Sequence, residues 1–162
     1  MTNRIKPHLL TEGGLERLQS ELEELRTDGR ERLADRLHQA LADGQDDDFV
    51  DNAELEAARN DQAFLEGRIL ELEDVIGNHQ LIEENGQPHE HVRLGDWVTV
   101  VEEGFDDEER YHLVGAAEAD PIAGRISNES PLGRSLLGTP VGQTVRVNAP
   151  NGVLNFRIVK VE

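Results

Sequence analysis

The sequence predicts an α+β chain in two parts: an N-terminal antiparallel α-helical coiled-coil hairpin and a small, mainly antiparallel β domain. Three observations predict it. Apolar residues recur at helical spacing along two arms flanking residues 42–58, four aspartates interrupt that pattern, and from Gly95 onward the period changes to two. The hairpin is expected over residues 1–82 with an acidic tip near 44–52, a polar linker over 83–94, and the β domain over 95–162.

The second arm carries the cleaner seam. Leu55, Ala58, Gln62, Leu65, Ile69, Leu72 and Ile76 step by alternating threes and fours, an a/d heptad pattern. On the first arm Leu15, Leu18, Leu22 and Leu25 do the same; the register then slips past Gly29 and resumes with Leu33, Leu37 and Leu41. Such a slip unwinds a supercoil locally without ending it. Folding the arms together pairs Leu41 with Leu55, Leu25 with Leu72 and Leu22 with Ile76, so the chain turns near Asp48. At roughly 1.5 Å of rise per residue each arm reaches on the order of 40 Å. The hairpin satisfies its own seam, which makes a monomer the expectation.

The ends of these helices are marked. Residues 1–9 read as an irregular leader, and Thr11 or Glu12 opens the first helix, the threonine hydroxyl being able to accept orphan amide protons. Asp51 or Asn52 caps the second, which ends around Gly77-Asn78. In the β domain, Trp97–Val101, Arg110–Val114, Gln143–Val147 and Val153–Val159 read as strands. Gly104–Glu109 is an acidic turn, Pro150-Asn151-Gly152 a tight hairpin, and Pro131–Gly138 a short helical turn on the sheet.

Composition bounds the function. With 34 acidic against 16 basic residues the formal net charge is −18, which argues against general affinity for DNA, RNA or anionic lipid and favours a basic partner or a cation. The absence of cysteine excludes disulfides, thiolate nucleophiles and cysteine zinc sites. His89 and His91 form half of a metal site at most, with no third ligand nearby. Neither a signal-peptide core nor a run of 18 apolar residues occurs, so a cytoplasmic protein without membrane contact is expected. The distinctive chemistry lies at the tip, where Asp48 and Asp51 offer carboxylate oxygens of the kind magnesium takes, often from only one or two protein groups with substrate phosphates. An acidic loop that merely keeps an exposed tip soluble is the competing explanation.

Asp51-Asn52-Ala53-Glu54-Leu55-Glu56-Ala57-Ala58-Arg59 and Phe64-Leu65-Glu66-Gly67-Arg68-Ile69, together with the order of parts, resemble the tip and second helix of the Gre transcript-cleavage factors of bacterial RNA polymerase. Tyr111–Gly115, Glu118-Ala119-Asp120, Ser130–Gly138 and Ala149-Pro150-Asn151-Gly152 continue the resemblance through the C-terminal half. It implies an FKBP-like domain docked at the rim of the polymerase secondary channel, through Asp120, Ser127, Asn128, Ser130 and Pro131. It also implies a hairpin entering the channel toward the catalytic magnesium. Family cleavage factors hold a second metal with two tip acids, so that the polymerase, not the factor, hydrolyses backtracked RNA.

Here the pattern departs from the family. Where cleavage factors run Gly-Asp-x-x-Glu-Asn-Ala-Glu, this chain has Gly44-Gln45-Asp46-Asp47-Asp48-Phe49-Val50-Asp51-Asn52-Ala53-Glu54. The second acid is aspartate, and Asp46 and Asp47 raise the tip to four carboxylates. This is similar to the inhibitory, non-cleaving branch of Gre homologues. With Lys6 and Lys160 the only lysines and acids bordering the hairpin arginines, firm RNA holding is not expected. The resemblance therefore implies a regulator acting on the polymerase active site. It would have no active site or tightly bound cofactor of its own, sharing magnesium only within the complex. A true cleavage factor, and a scaffold or isomerase-like module unrelated to polymerase, stand as alternatives. An isomerase needs an aromatic-lined pocket that four Phe, one Trp and one Tyr scarcely furnish.

Overall fold

A computed structural model describes residues 6–43, 53–84, 86–88 and 90–162. They form two compact units, Glu16–Gly77 and Met1–Leu15 together with Asn78–Glu162.

The first unit is the helical hairpin. Its first arm comprises α1 (Glu12–Glu24), a π-helical turn (Leu25–Gly29) and α2 (Arg30–Asp43); its second is α3 (Ala53–Gly77). Among the described residues, five arginine–acid partnerships cross between the arms. Arg68 grips Glu21 through two bonds of 2.7 and 3.0 Å, and Arg30 grips Glu66 through two of 2.9 and 2.8 Å. Arg26 reaches Glu73, and Arg36 reaches both Glu54 and Asp61. From Arg26 through Arg30 to Arg36 the partner steps back along α3, from Glu73 to Glu66 to Asp61 and Glu54, as antiparallel helices require.

The π-helical turn accounts for the slip in the seam. The Arg30 amide donates to the Leu25 carbonyl, five residues back, so this turn holds an extra residue and rotates everything after it. The rotation corrects one expected pair: Ala40 takes the buried position and Leu41 is 52% exposed. On α3 the buried residues are Ala58, Ile69, Leu72 and Val75, with Ile76 only half-buried and Gln62 exposed. Apolar closure is therefore strongest where Leu18 and Leu22 are buried, and thinner past the π turn, where Leu33 and Leu37 are half-buried.

The second unit holds a five-stranded sheet in the order β5-β4-β3-β7-β6, made of β3 (Trp97–Glu102), β4 (Glu108–Val114), β5 (Arg125–Ser127), β6 (Thr144–Ala149) and β7 (Gly152–Val161). Only β4 and β5 run parallel. Ala149 pairs with Gly152, leaving Pro150 and Asn151 as a two-residue hairpin loop, and Gly152 adopts φ +135. Inward-facing Val98, Val100, Leu113, Val145, Val147, Phe156, Ile158 and Val161 form the core with Leu136 of α4 (Pro131–Leu136). Trp97 stacks on His112 with ring centroids 4.5 Å apart, and the Arg110 guanidinium lies 4.5 Å over the indole.

Two segments differ from expectation. Part of the presumed leader is a strand, β1 (His8–Leu10), which pairs in parallel with β2 (His79–Leu81). Three residues are too few to show a period of two, and only the pairing reveals them. The presumed linker is fastened at its end: Val92 is buried in the core, donates its N–H to the Thr139 carbonyl at 3.0 Å and accepts the Gly138 N–H at 2.8 Å. Among the described residues, no helix is long and apolar enough to cross a membrane.

Candidate functional site

The four tip acids Asp46, Asp47, Asp48 and Asp51 lie outside the described residues, as does His89. Among the described residues, no group of three or more His, Asp or Glu side chains stands close enough to hold a metal ion.

The expected docking residues all fall on one continuous loop system between β4 and α4. After Gly115 the chain makes a 3₁₀ turn (Ala116–Glu118), a second 3₁₀ turn (Pro121–Ala123), strand β5 and the cap of α4. Pro121 starts the second turn because its fixed φ suits a helical first position, and Gly124 ends it with φ +73. Asp120 caps this turn: Oδ1 accepts the Ala123 N–H at 3.3 Å, and Oδ2 accepts from Arg125 Nη2 at 2.9 Å. Its side chain stays 42% exposed, so the carboxylate keeps acceptor sites for a further donor.

Ser127 and Ser130 organise the other end. The Ser127 Oγ accepts the Glu129 N–H at 3.0 Å, and the Ser130 hydroxyl donates to the Ser127 carbonyl at 2.7 Å. Ser130 Oγ also accepts the Gly133 N–H at 3.0 Å, an N-cap followed by Pro131 at the first helical position. The Asn128 amide is tied to the Val114 carbonyl at 2.9 Å. A side chain at Gly133 would overlap the Ser127 carbonyl, so glycine lets α4 lie against β5. These residues thus hold the loop in shape, and Glu129 and Pro131 stand exposed on it.

The most telling residue here was not singled out from the sequence. Ile122, at the second 3₁₀ turn, is fully exposed, while Asp120 beside it is anchored. An isoleucine between Pro121 and Gly124 fits neither helical nor strand periodicity, and that misfit was the available signal. A β-branched apolar side chain held out by a rigid turn, on a loop that also carries Asp120 and Glu129, suits a protein surface offering an apolar notch with basic neighbours.

Residues 8–81 match the description "Transcription elongation factor, N-terminal", and residues 87–162 match "Transcription elongation factor, GreA/GreB, C-term". The chain is 42% identical over 156 residues to transcription elongation factor GreA of Acetivibrio thermocellus, covering 96% of each. It is 43% identical over 157 residues to that of Bacillus cytotoxicus, covering 97% of this chain and 98% of the relative. Among solved structures it resembles GreA factor homolog 1 of Thermus thermophilus with a TM-score of 0.43 and 30% identity, covering 97% and 99% of the two chains. The hairpin, the β domain and these identities together make the chain a member of the GreA/GreB family of transcription elongation factors.

Proposed function

We propose that this chain binds bacterial RNA polymerase at the secondary channel. Its 116–131 loop docks at the rim, and its acidic tip lies close to the catalytic magnesium, where it restrains transcription instead of provoking transcript cleavage. The observation that carries this is the tip sequence. A chain that keeps the family's two parts at 42% identity replaces the usual acid pair with Asp46, Asp47, Asp48 and Asp51.

Magnesium in such a centre supplies Lewis acidity at the reacting phosphate. The residues of this chain supply oxygens around it. Hydrolysis requires an attacking water held in near-perfect placement, and misplacement of about 1 Å costs roughly 100-fold in rate. Four aspartates at a different spacing in the sequence would offer oxygens without that placement. Asp120 and Ile122 supply affinity at the rim, the carboxylate toward basic groups and the isoleucine toward an apolar notch. The sparse lysines leave RNA contact indirect or weak.

Docking is tested by competition with a GreA protein for core polymerase. The chain is expected to displace GreA, Ile122→Arg and Asp120→Arg to lose that ability, and Asp48→Ala/Asp51→Ala to retain it. Absence of competition by the unaltered chain contradicts channel binding.

A further inference from the structure

A helix that opens with Thr is usually completed by Glu or Gln at its third residue, which reaches back to the N-cap amide while the threonine oxygen accepts the third residue's N–H. In α1 that third residue is Gly14, which has no side chain to reach back. The threonine half of the arrangement is present, with Thr11 Oγ1 accepting the Gly14 N–H at 2.9 Å. The carboxylate half arrives from 107 residues away: Glu118 Oε1 accepts the Thr11 N–H at 2.7 Å and Oε2 accepts the Thr11 hydroxyl at 2.8 Å. Thr11 is 1% and Glu118 6% exposed, so both groups meet out of water, where such bonds count most.

The glycine at the third position leaves room for this carboxylate. A Cβ at Gly14 would overlap Glu118 Oε2, and φ there is not positive. A second glycine makes the approach possible, since a Cβ at Gly115 would overlap the Leu9 carbonyl of β1. Beyond the cap, the Glu118 carbonyl accepts from Arg125 Nε at 3.3 Å, and the same guanidinium holds Asp120 at 2.9 Å. Thr11, Gly14, Glu118, Asp120 and Arg125 all belong to one compact unit.

We propose that Glu118 is a positioning residue for the docking loop. By completing the cap of α1 from the 3₁₀ turn, it fixes that turn and, through Arg125, the Asp120 that follows. A cap alone would need only a glutamate at residue 14. The chain instead spends that position on glycine, so that the carboxylate must come from the loop.

The consequence for polymerase rests on the proposed docking role; the positioning itself does not, and hydrogen exchange tests it in the free protein. In Glu118→Ala, exchange is expected to quicken about tenfold or more at the Gly14 and Leu15 amides and also at the loop amides of Ala123, Gly124 and Arg125. Adding Gly14→Glu to that variant supplies a local carboxylate. It is expected to restore protection at Gly14 and Leu15 and to leave the loop amides fast. In competition for polymerase the double variant stays about tenfold weaker than the unaltered chain. Restoration of the loop along with the helix, or a loop unaffected by Glu118→Ala, overturns the proposal. If Glu118→Ala does not fold, Glu118→Gln is compared singly with the unaltered chain, and loop amides of Ala123, Gly124 and Arg125 that exchange no faster in it overturn the proposal. A chain that never binds polymerase removes the docking role while the exchange result still decides the positioning.

Discussion

The hairpin and the β domain hold themselves together by different means. In the β domain ten apolar residues, from Val92 to Val161, form one buried cluster. In the hairpin, buried leucines give way past the π turn to Ala40 and Ala58, and the arms are bridged by arginine–carboxylate pairs whose side chains remain about 40–55% exposed. Hydrophobic burial is insensitive to pH, whereas exposed ion pairs depend on it and on salt. Two parts of one chain should therefore fail under different conditions. The single tryptophan, Trp97, sits in the β domain, so its emission follows that part, while far-UV dichroism is dominated by the helices.

The largest separation should come from the cores. Ile158→Ala removes a side chain that is 0% exposed and is expected to destabilise the β domain by about 2–5 kcal/mol, read as a lower denaturant midpoint of Trp97 emission. Leu33→Ala, at a half-buried position past the π turn, is expected to cost only about 1 kcal/mol in helical signal. Equal losses would remove the distinction.

A second test strengthens the weaker part. Gly29 ends the π turn with an ordinary negative φ, and a Cβ there would meet Leu65 Cδ1 at 3.1 Å. Leu65 borders a cleft of about 290 Å³ together with Leu25 and Leu33, so its methyl has room to yield. Gly29→Ala is therefore expected to stabilise the helices by about 0.5–1 kcal/mol, seen as a higher dichroism midpoint with Trp97 unchanged. A lower midpoint would mean that the cleft is not available to Leu65.

The smallest effect separates the parts by pH. Hydrogen bonds from Arg36 and Arg30 hold Glu54 and Glu66 below the ordinary carboxylate value of 4.5. Depressed folded values mean stability present above about 4.5 and lost as pH falls through the lower folded range, so the hairpin should weaken on the acid side. In the β domain, burial, followed by its hydrogen bond to Glu109, pushes the Tyr111 hydroxyl up to about 12 from 10.0. A raised folded value means stability present below 10.0 and lost as pH climbs toward about 12, an alkaline limit. Glu162, lowered by Lys160, gives the β domain one acid-sensitive group as well. Titrations followed by dichroism and by Trp97 emission should therefore diverge most between pH 10.0 and about 12, below the range in which the hairpin's Arg30, Arg36 and Arg68, themselves raised by their acid partners, lose their protons.

Local patterns made much of this legible in the sequence. The heptad seam, the threonine cap, the four longer strands and the Pro150-Asn151 hairpin each depend on residues close together in the chain. The slip after Gly29 was legible as a break in period, but which residue would face inward afterwards was not, because the π turn decides it. Strands β1, β2 and β5 span three residues each and exist only through partners distant in sequence. Glu118 was legible only as part of a resembling stretch, and its role was not, being set by Thr11 at the far end of the chain. Asp120, Ser127, Asn128, Ser130 and Pro131 were expected at a docking surface through resemblance alone; the structure adds the bonds that hold the first four in the loop and puts Pro131 at the first position of α4.

The most direct test of the proposed action is single-nucleotide addition by RNA polymerase, with transcript length followed in backtracked complexes of the same enzyme. The expected result is slower addition, relieved by Asp48→Ala/Asp51→Ala, with transcripts of unchanged length. Transcripts shortened by the unaltered chain and left intact by the tip variant would contradict it, and would make this protein a cleavage factor.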